Sequence, residues 1–186
     1  MLNKALRKLA ADLEKKRIDY VATGAIALNR HGYRRFTEDI DLLLTKEGLE
    51  RFRAELVGPG YRPAFEGAKK KFRTTDKVPV EIITAGEFPG DGLPKPVAFP
   101  NPAEASVDID GVRTITLEKL VELKLASGMT AADRLKDLAD VQAMIKIKGL
   151  TAEFANRLDD YVRPKFLELY DAVERGRQRD EELERS

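Results

Sequence analysis

The run Thr37-Glu38-Asp39-Ile40-Asp41-Leu42-Leu43-Leu44 sets two carboxylates two residues apart, a short distance downstream of the dipeptide Thr23-Gly24. Side chains on a strand alternate, so Asp39 and Asp41 would share one face while Ile40, Leu42 and Leu44 pack on the other. Unpaired neighbouring carboxylates repel, and a strand that carries them faces a divalent metal, a basic partner or water. Glu81 interrupts the apolar run Val78-Pro79-Val80-Glu81-Ile82-Ile83 and, on an adjacent strand, would complete a cage for one or two ions. Two metals about 3.5–4 Å apart activate an attacking hydroxyl and stabilise a leaving oxygen in phosphoryl or nucleotidyl transfer. A second pair, Asp108 and Asp110, serves as a control: Asp110-Gly111 is explained by turn chemistry, and no glycine-to-helix segment precedes it.

Other residues could serve the same chemistry or have simpler roles. Gly24 at the mouth of a helix would turn backbone N–H groups and the helix dipole toward a triphosphate, or would make a tight turn. Arg34, Arg35 and the run Lys69-Lys70-Lys71-Phe72-Arg73 could bind phosphates, or be solvated surface charge. His31 beside Gly32 reads as a helix C-terminal residue. Lys124 falls near the centre of the apolar arc of Leu117, Leu120, Val121, Leu123 and Leu125, so it must snorkel to the rim or reach carboxylates or a triphosphate. On the next helix Leu135, Leu138, Val141 and Ile145 form the expected core stripe. Asp137 lies at its border, at pairing distance from Arg134, and Asp140 lies on the opposite side.

The elements that must position these groups follow from periodicity. Leu2, Leu6, Leu9 and Leu13 give an amphipathic helix ending near Lys16, then a strand over 20–23, then Gly24 and a helix to Gly32. The Asp39–Leu44 strand leads to a helix with Leu49, Phe52 and Leu56 on one face, stopped by Gly58-Pro59-Gly60. Strands are expected over 61–65, 71–75 and 78–84, and a Gly- and Pro-rich loop over 86–102 is expected as a hinge or lid. Asp110-Gly111 between 107–109 and 112–115 signals a hairpin. Beyond Thr116 the pattern is helical. Helices are expected over 117–127 and 131–148, the second opened by a Thr130/Asp133 capping box and closed by Gly149. A third helix follows Thr151, a fourth has Pro164 in its first turn, and 174–186 is frayed helix or tail. The chain therefore divides into an α/β core, 1–115, and a C-terminal helical region, 116–186, that packs on it.

Composition narrows the function classes. The 186 residues suffice for one substantial core. With 33 basic and 32 acidic residues there is no global field to attract nucleic acid or membrane, so such affinity must be local. The absence of Cys excludes disulfides, thiolate metal sites and cysteine nucleophiles, and a single His argues against His-based triads. No apolar run is long enough to span a bilayer and the first residues lead into a charged helix, so a soluble, cytoplasmic protein without membrane partners is expected.

Together these residues resemble the DNA polymerase β-like nucleotidyltransferase superfamily, in particular its small AbiEii-toxin-like, minimal nucleotidyltransferase group. The matching segments are Thr23-Gly24-Ala25, Arg35-Phe36-Thr37-Glu38-Asp39-Ile40-Asp41, Val80-Glu81-Ile82, Lys124 within Glu122-Leu123-Lys124-Leu125-Ala126, and Lys136-Asp137-Leu138-Ala139-Asp140. They span roughly residues 18–147, and their order is more specific than any one of them. The resemblance implies an α+β fold, a mixed β-sheet flanked by helices with a helical C-terminal region. It also implies transfer of an NMP from an NTP to a hydroxyl of RNA such as tRNA, of protein or of a small molecule. It implies Mg²⁺ or Mn²⁺ held by Asp39 and Asp41, with Glu81 as third ligand and as the group that positions or deprotonates the acceptor. Thr23, Gly24, Ala25, Arg35, Thr37, Lys124 and Asp137 would line the nucleotide site, and a cognate antitoxin or partner chain would be possible. Ala25 departs from the family pattern, where a second Gly or Ser normally stands, so a phosphate-touching hydroxyl is missing. The alternatives are a non-catalytic nucleotide- or partner-binding module and, less favoured, a D-x-D glycosyltransferase, for which the chain ahead of Asp39 is too short.

Overall fold

The computed structural model describes residues 1–185 and forms two compact units, one of Met1–Glu87 with Phe99–Leu120, the other of Phe88–Ala98 with the chain from Val121 onward. In the first, helix α1 (Leu2–Lys15) precedes β1 (Tyr20–Ala22), α2 (Gly24–Arg30) and β2 (Ile40–Leu44). Helix α3 (Lys46–Glu55) and strands β3 (Tyr61–Pro63), β4 (Lys71–Thr74), β5 (Pro79–Thr84), β6 (Ser106–Ile109) and β7 (Val112–Ile115) complete it. The seven strands form one sheet in the order β3-β4-β5-β2-β1-β7-β6. β2 is antiparallel to β1 and parallel to β5, and β1 is parallel to β7, so the sheet is mixed and β2 lies in its interior. Interior strands are buried on both faces where helices cover them, and Leu42, Leu43 and Leu44 are all inaccessible to solvent.

The core of this unit lies where the apolar stripe of α1 (Leu6, Leu9, Leu13) meets Ile40, Leu42 and Leu44 of β2 and Val80 and Ile82 of β5. Phe52 of α3 packs on Tyr61 and Phe72, with ring centroids 5.3 and 5.0 Å apart. Such tilted aromatic pairs contribute about 0.5–1.5 kcal/mol each beyond their buried area. The Tyr61 hydroxyl donates to Asp12 at 2.7 Å, and burial raises its pKa far above the ordinary value. The β6–β7 hairpin turns at Asp110 and Gly111, both at positive φ (50° and 75°), the conformation a two-residue hairpin loop needs. Asp108 and Asp110 therefore belong to a turn.

The second unit is helical. Helix α4 (Leu117–Thr130) enters it at Val121, and α5 (Leu135–Lys148) and α6 (Arg163–Arg185) follow, with 3₁₀ turns at Ala132–Arg134 and Ala152–Arg157. Two expectations are corrected here. No capping box forms at Thr130: α4 runs on through it, and its hydroxyl donates back to the Ala126 carbonyl at 2.8 Å. The buried face of α5 is Asp137, Asp140, Val141, Met144 and Ile145, whereas Leu135 is 65% exposed. The segment 174–185 is helix rather than tail. Residues 88–98 are cross-linked by Lys95, whose buried ammonium donates to the Pro89 and Leu93 carbonyls and to Asp91 at 2.6–2.8 Å. Among the described residues no helix is long and apolar enough to cross a membrane.

Candidate active site

Asp39 stands immediately before β2 and Asp41 is its second residue; both are half-buried, while Ile40 between them is fully buried. The parallel pairing of β2 with β5 sets Asp41 opposite Glu81 in register. Paired residues on adjacent strands project to the same side, so Asp41 and Glu81 rise side by side from neighbouring strands on one sheet face. Glu81 remains 43% exposed and its carboxylate lies 3.5 Å from the Lys71 ammonium. Among the described residues, no three Asp, Glu or His side chains are drawn together as a metal cage.

Local structure fixes the aspartates. The Thr37 hydroxyl donates to the Asp39 carboxylate and also lies 3.3 Å from the Asp39 carbonyl oxygen. The Asp41 carbonyl accepts from the Thr23 N–H at 2.9 Å, drawing the end of β1 against β2. Gly24, at φ +60°, then passes so close to Asp41 that a Cβ there would lie 2.9 Å from the carboxylate carbon and nearer still to Oδ2. The glycine is thus required twice, by its left-handed backbone and by the carboxylate beside it. The α2 helix that it opens is only seven residues long, and Ala25 in its first turn is half-buried.

The segment between α2 and β2 carries Arg34, Arg35, Phe36 and Thr37. Asn29 holds it with a reciprocal pair of bonds: its Nδ2 donates to the Arg35 carbonyl at 2.7 Å and its Oδ1 accepts from the Arg35 N–H at 2.8 Å. His31 caps the end of α2, and its Nε2 donates to the Ile115 carbonyl at 2.8 Å. Sequence reasoning missed Asn29, although an Asn in the last turn of a short helix, just before an arginine-rich segment, is a readable signal.

In the helical unit, Lys124 reaches carboxylates. Its ammonium donates to Asp137 Oδ1 at 2.9 Å and to Asp140 Oδ2 at 2.7 Å, with all three side chains almost fully buried. Ser127 donates to Asp137 Oδ2 at 2.7 Å and Arg134 Nε reaches the same oxygen at 2.9 Å. Burial alone would raise the Asp137 pKa, but the Lys124 charge, the Lys124 and Ser127 hydrogen bonds and Arg134 together hold it below the ordinary carboxylate value. Asp140, expected on the far side of the helix, is a full member of this cluster. Its spacing of i, i+3 from Asp137 was the signal. Gly128 brings α5 close, since a Cβ there would lie 2.6 Å from Leu138 Cγ.

No protein-family model and no curated protein matches the sequence. Solved structures do. ANT(2'')-Ia, in complex with adenylyl-2''-tobramycin, is similar at a TM-score of 0.55 and 18% identity over 90% of this chain and 97% of that one. The chain has the fold of the polymerase β-like nucleotidyltransferases. An antigenic nucleotidyltransferase-like protein from Paracoccidioides brasiliensis shares it (TM-score 0.52, 17% identity, 92% of each chain). So does a candidate nucleotidyltransferase from H. pylori (TM-score 0.51, 18% identity, 97% of this chain and 95% of that one). At these identities the likeness is one of fold. In this chain's sheet, the acidic residues of β2 and β5 are Asp41 and Glu81, with Asp39 just ahead.

Proposed function

We propose that this chain is a metal-dependent nucleotidyltransferase that moves a nucleoside monophosphate from an NTP to a hydroxyl acceptor. What carries the reading is the close approach of Gly24 to Asp41, with Glu81 in register beside it, on a nucleotidyltransferase fold. That ANT(2'')-Ia is seen with an adenylylated product supports nucleotide chemistry on this fold.

Hard carboxylate oxygens suit Mg²⁺ or Mn²⁺. Mg²⁺ is usually bound by one or two carboxylates together with substrate phosphates, so Asp39 and Asp41 suffice as protein ligands without a three-residue cage. When bound, the ion supplies Lewis-acid stabilisation of the transferring phosphoryl group. Thr37 orients the Asp39 carboxylate and the Gly24 turn fixes Asp41. Glu81, released from Lys71, accepts the proton of the acceptor hydroxyl as its oxygen bonds to the α-phosphorus; the α–β bridging P–O bond breaks and pyrophosphate leaves. Thr23, Gly24, Ala25 and Arg35 contact the nucleotide. Lys124 and Asp137, which the family resemblance would also bring to the nucleotide, are read here as a paired cluster within the helical unit. The acceptor is a hydroxyl of RNA, protein or a small molecule, and in the AbiEii-like group a cognate antitoxin or partner chain would restrain the activity.

Ala25 favours one second reading, a nucleotide-binding module without turnover. Calorimetric titration of Mg²⁺-NTP into the wild type and into the Asp39→Asn, Asp41→Asn double variant separates them when followed by an assay of pyrophosphate release. Metal-dependent binding lost in the variant, with pyrophosphate released by the wild type, is the expected result. Binding without release selects the second reading, and no binding by the wild type rejects both.

A further inference from the structure

The first unit contains a cavity of about 490 Å³ between the start of α1, one side of α2 and the segment that leads into β2. That volume lies within the range of about 300–1,000 Å³ typical of small-molecule sites. Its wall includes Asn29, Arg30, Arg34, Arg35, Phe36 and Thr37, and among the described residues no acidic one lines it. Arg30 is anchored by donation to the Ile109 carbonyl, yet its Nε is buried with no hydrogen-bond partner. Asn29 fixes the backbone on which Arg35 and Phe36 stand. Phe36, directly after Arg34 and Arg35, is 86% exposed. Thr37 joins this wall to the acidic pair, because its hydroxyl donates to Asp39.

We infer that this cavity binds single-stranded nucleic acid, with a phosphate on Arg34 and a base stacked on Phe36. Arginines provide bidentate recognition of phosphate, and an exposed aromatic ring among cations is the stacking platform by which single strands are held without reading their sequence. A protein acceptor would find neither feature complementary unless it were acidic and aromatic at one point. The inference rests on the nucleotidyltransferase reading only in making this strand the acceptor; binding itself needs neither metal nor NTP.

The test uses a 5′-fluorescein decaribonucleotide, A₁₀ or U₁₀, titrated by anisotropy in EDTA with the wild type, Arg34→Glu and Phe36→Ala. Both side chains are exposed, so far-UV spectra should be unchanged. Phe36→Ala should weaken binding about tenfold. Arg34→Glu should weaken it further and lower the slope of log K against log[salt] by about one. Calorimetric Mg²⁺-ATP binding should be retained in both variants. Failure of the wild type to bind, or insensitivity to both substitutions, overturns the inference. Loss of Mg²⁺-ATP binding in Arg34→Glu overturns it by giving the cavity to the nucleotide. Pyrophosphate bound as tightly as the oligonucleotide overturns it by reducing the cavity to an anion site. Strand binding by a wild type that binds no Mg²⁺-NTP would instead leave this site standing and reject the enzymatic reading.

Discussion

Two groups of charged residues in this molecule are built from similar side chains and treated in opposite ways. On the sheet, Asp39 and Asp41 are half-buried and Glu81 is 43% exposed, with only a loose 3.5 Å approach to Lys71. Between α4 and α5, Lys124, Asp137 and Asp140 are almost fully buried, and the ammonium donates to both carboxylates at 2.7–2.9 Å. A buried charge must be paired and hydrogen-bonded, and the helical cluster satisfies its members internally. On the sheet, Glu81 pairs with Lys71 across 3.5 Å and stays 43% exposed. One cluster is closed within the helical unit, and the other stays open to solvent at Glu81.

Removing the sheet carboxylates is the sharpest way to break this contrast. Asp41→Asn, alone or with Asp39→Asn, should lower pyrophosphate release from Mg²⁺-NTP at least about a thousandfold, since a catalytic ion supplies several kcal/mol of transition-state stabilisation. Its unfolding free energy in urea should stay within roughly 0.5 kcal/mol of wild type, as expected away from core packing. An Asp41→Asn protein that turns over normally, or one that fails to fold, would erase the distinction.

The mirror experiment is Lys124→Met. It removes the ammonium that both buried carboxylates share and should cost about 3–5 kcal/mol of stability. Asp140→Asn should cost less, because Asp137 still accepts from Lys124, Ser127 and Arg134. Urea denaturation measures both. If Lys124→Met were as stable as wild type but raised the KM for NTP, the cluster would be a ligand site rather than a structural lock.

What was legible in the sequence follows the same line. The period-two run through Asp39–Leu44, the Asp110-Gly111 hairpin and the leucine stripe of α1 lie where local pattern and tertiary burial agree, and each appears in the structure close to its expected bounds. Helix α5 was misread because the hydrophobic stripe is normally the buried one. Here the buried face begins with two aspartates, and Leu135 faces solvent, because Lys124 on another helix needs acceptors. No single-helix pattern contains that partner. The Thr130 box failed similarly: a hydroxyl near a helix end can cap the next helix or bond back into its own, and α4 continues through it. For the site, the aspartate pair and Gly24 were visible as residue types, whereas the reason for Gly24, its approach to Asp41, required the packing of β1 on β2.

Gly24→Ala sharpens the comparison at one atom. A left-handed alanine costs roughly 1–2 kcal/mol in backbone energy, and its Cβ would drive the Asp41 carboxylate aside. Stability measured in urea should fall by about that amount while turnover falls more than stability explains. Ala25→Gly, which moves the turn toward the family pattern, should not impair either. A Gly24→Ala enzyme with full activity would mean that the carboxylate position is not what the glycine protects.

The smallest effect separates the clusters by pH. Asp137 has its pKa below the ordinary value, despite burial, because Lys124, Ser127 and Arg134 favour its charged form. A carboxylate depressed on folding contributes stability that is fully present above its unfolded value of about 3.9 and lost as pH falls through the folded value. The stability difference between wild type and Asp137→Asn should therefore be constant from pH 7 to about pH 5 and shrink below about pH 4. Urea unfolding at a series of pH values measures it. A difference that stayed constant to pH 3 would show that Asp137 stabilises α5 by shape rather than charge, and the helical cluster would no longer stand opposite the sheet carboxylates as the charge-satisfied half of the pair.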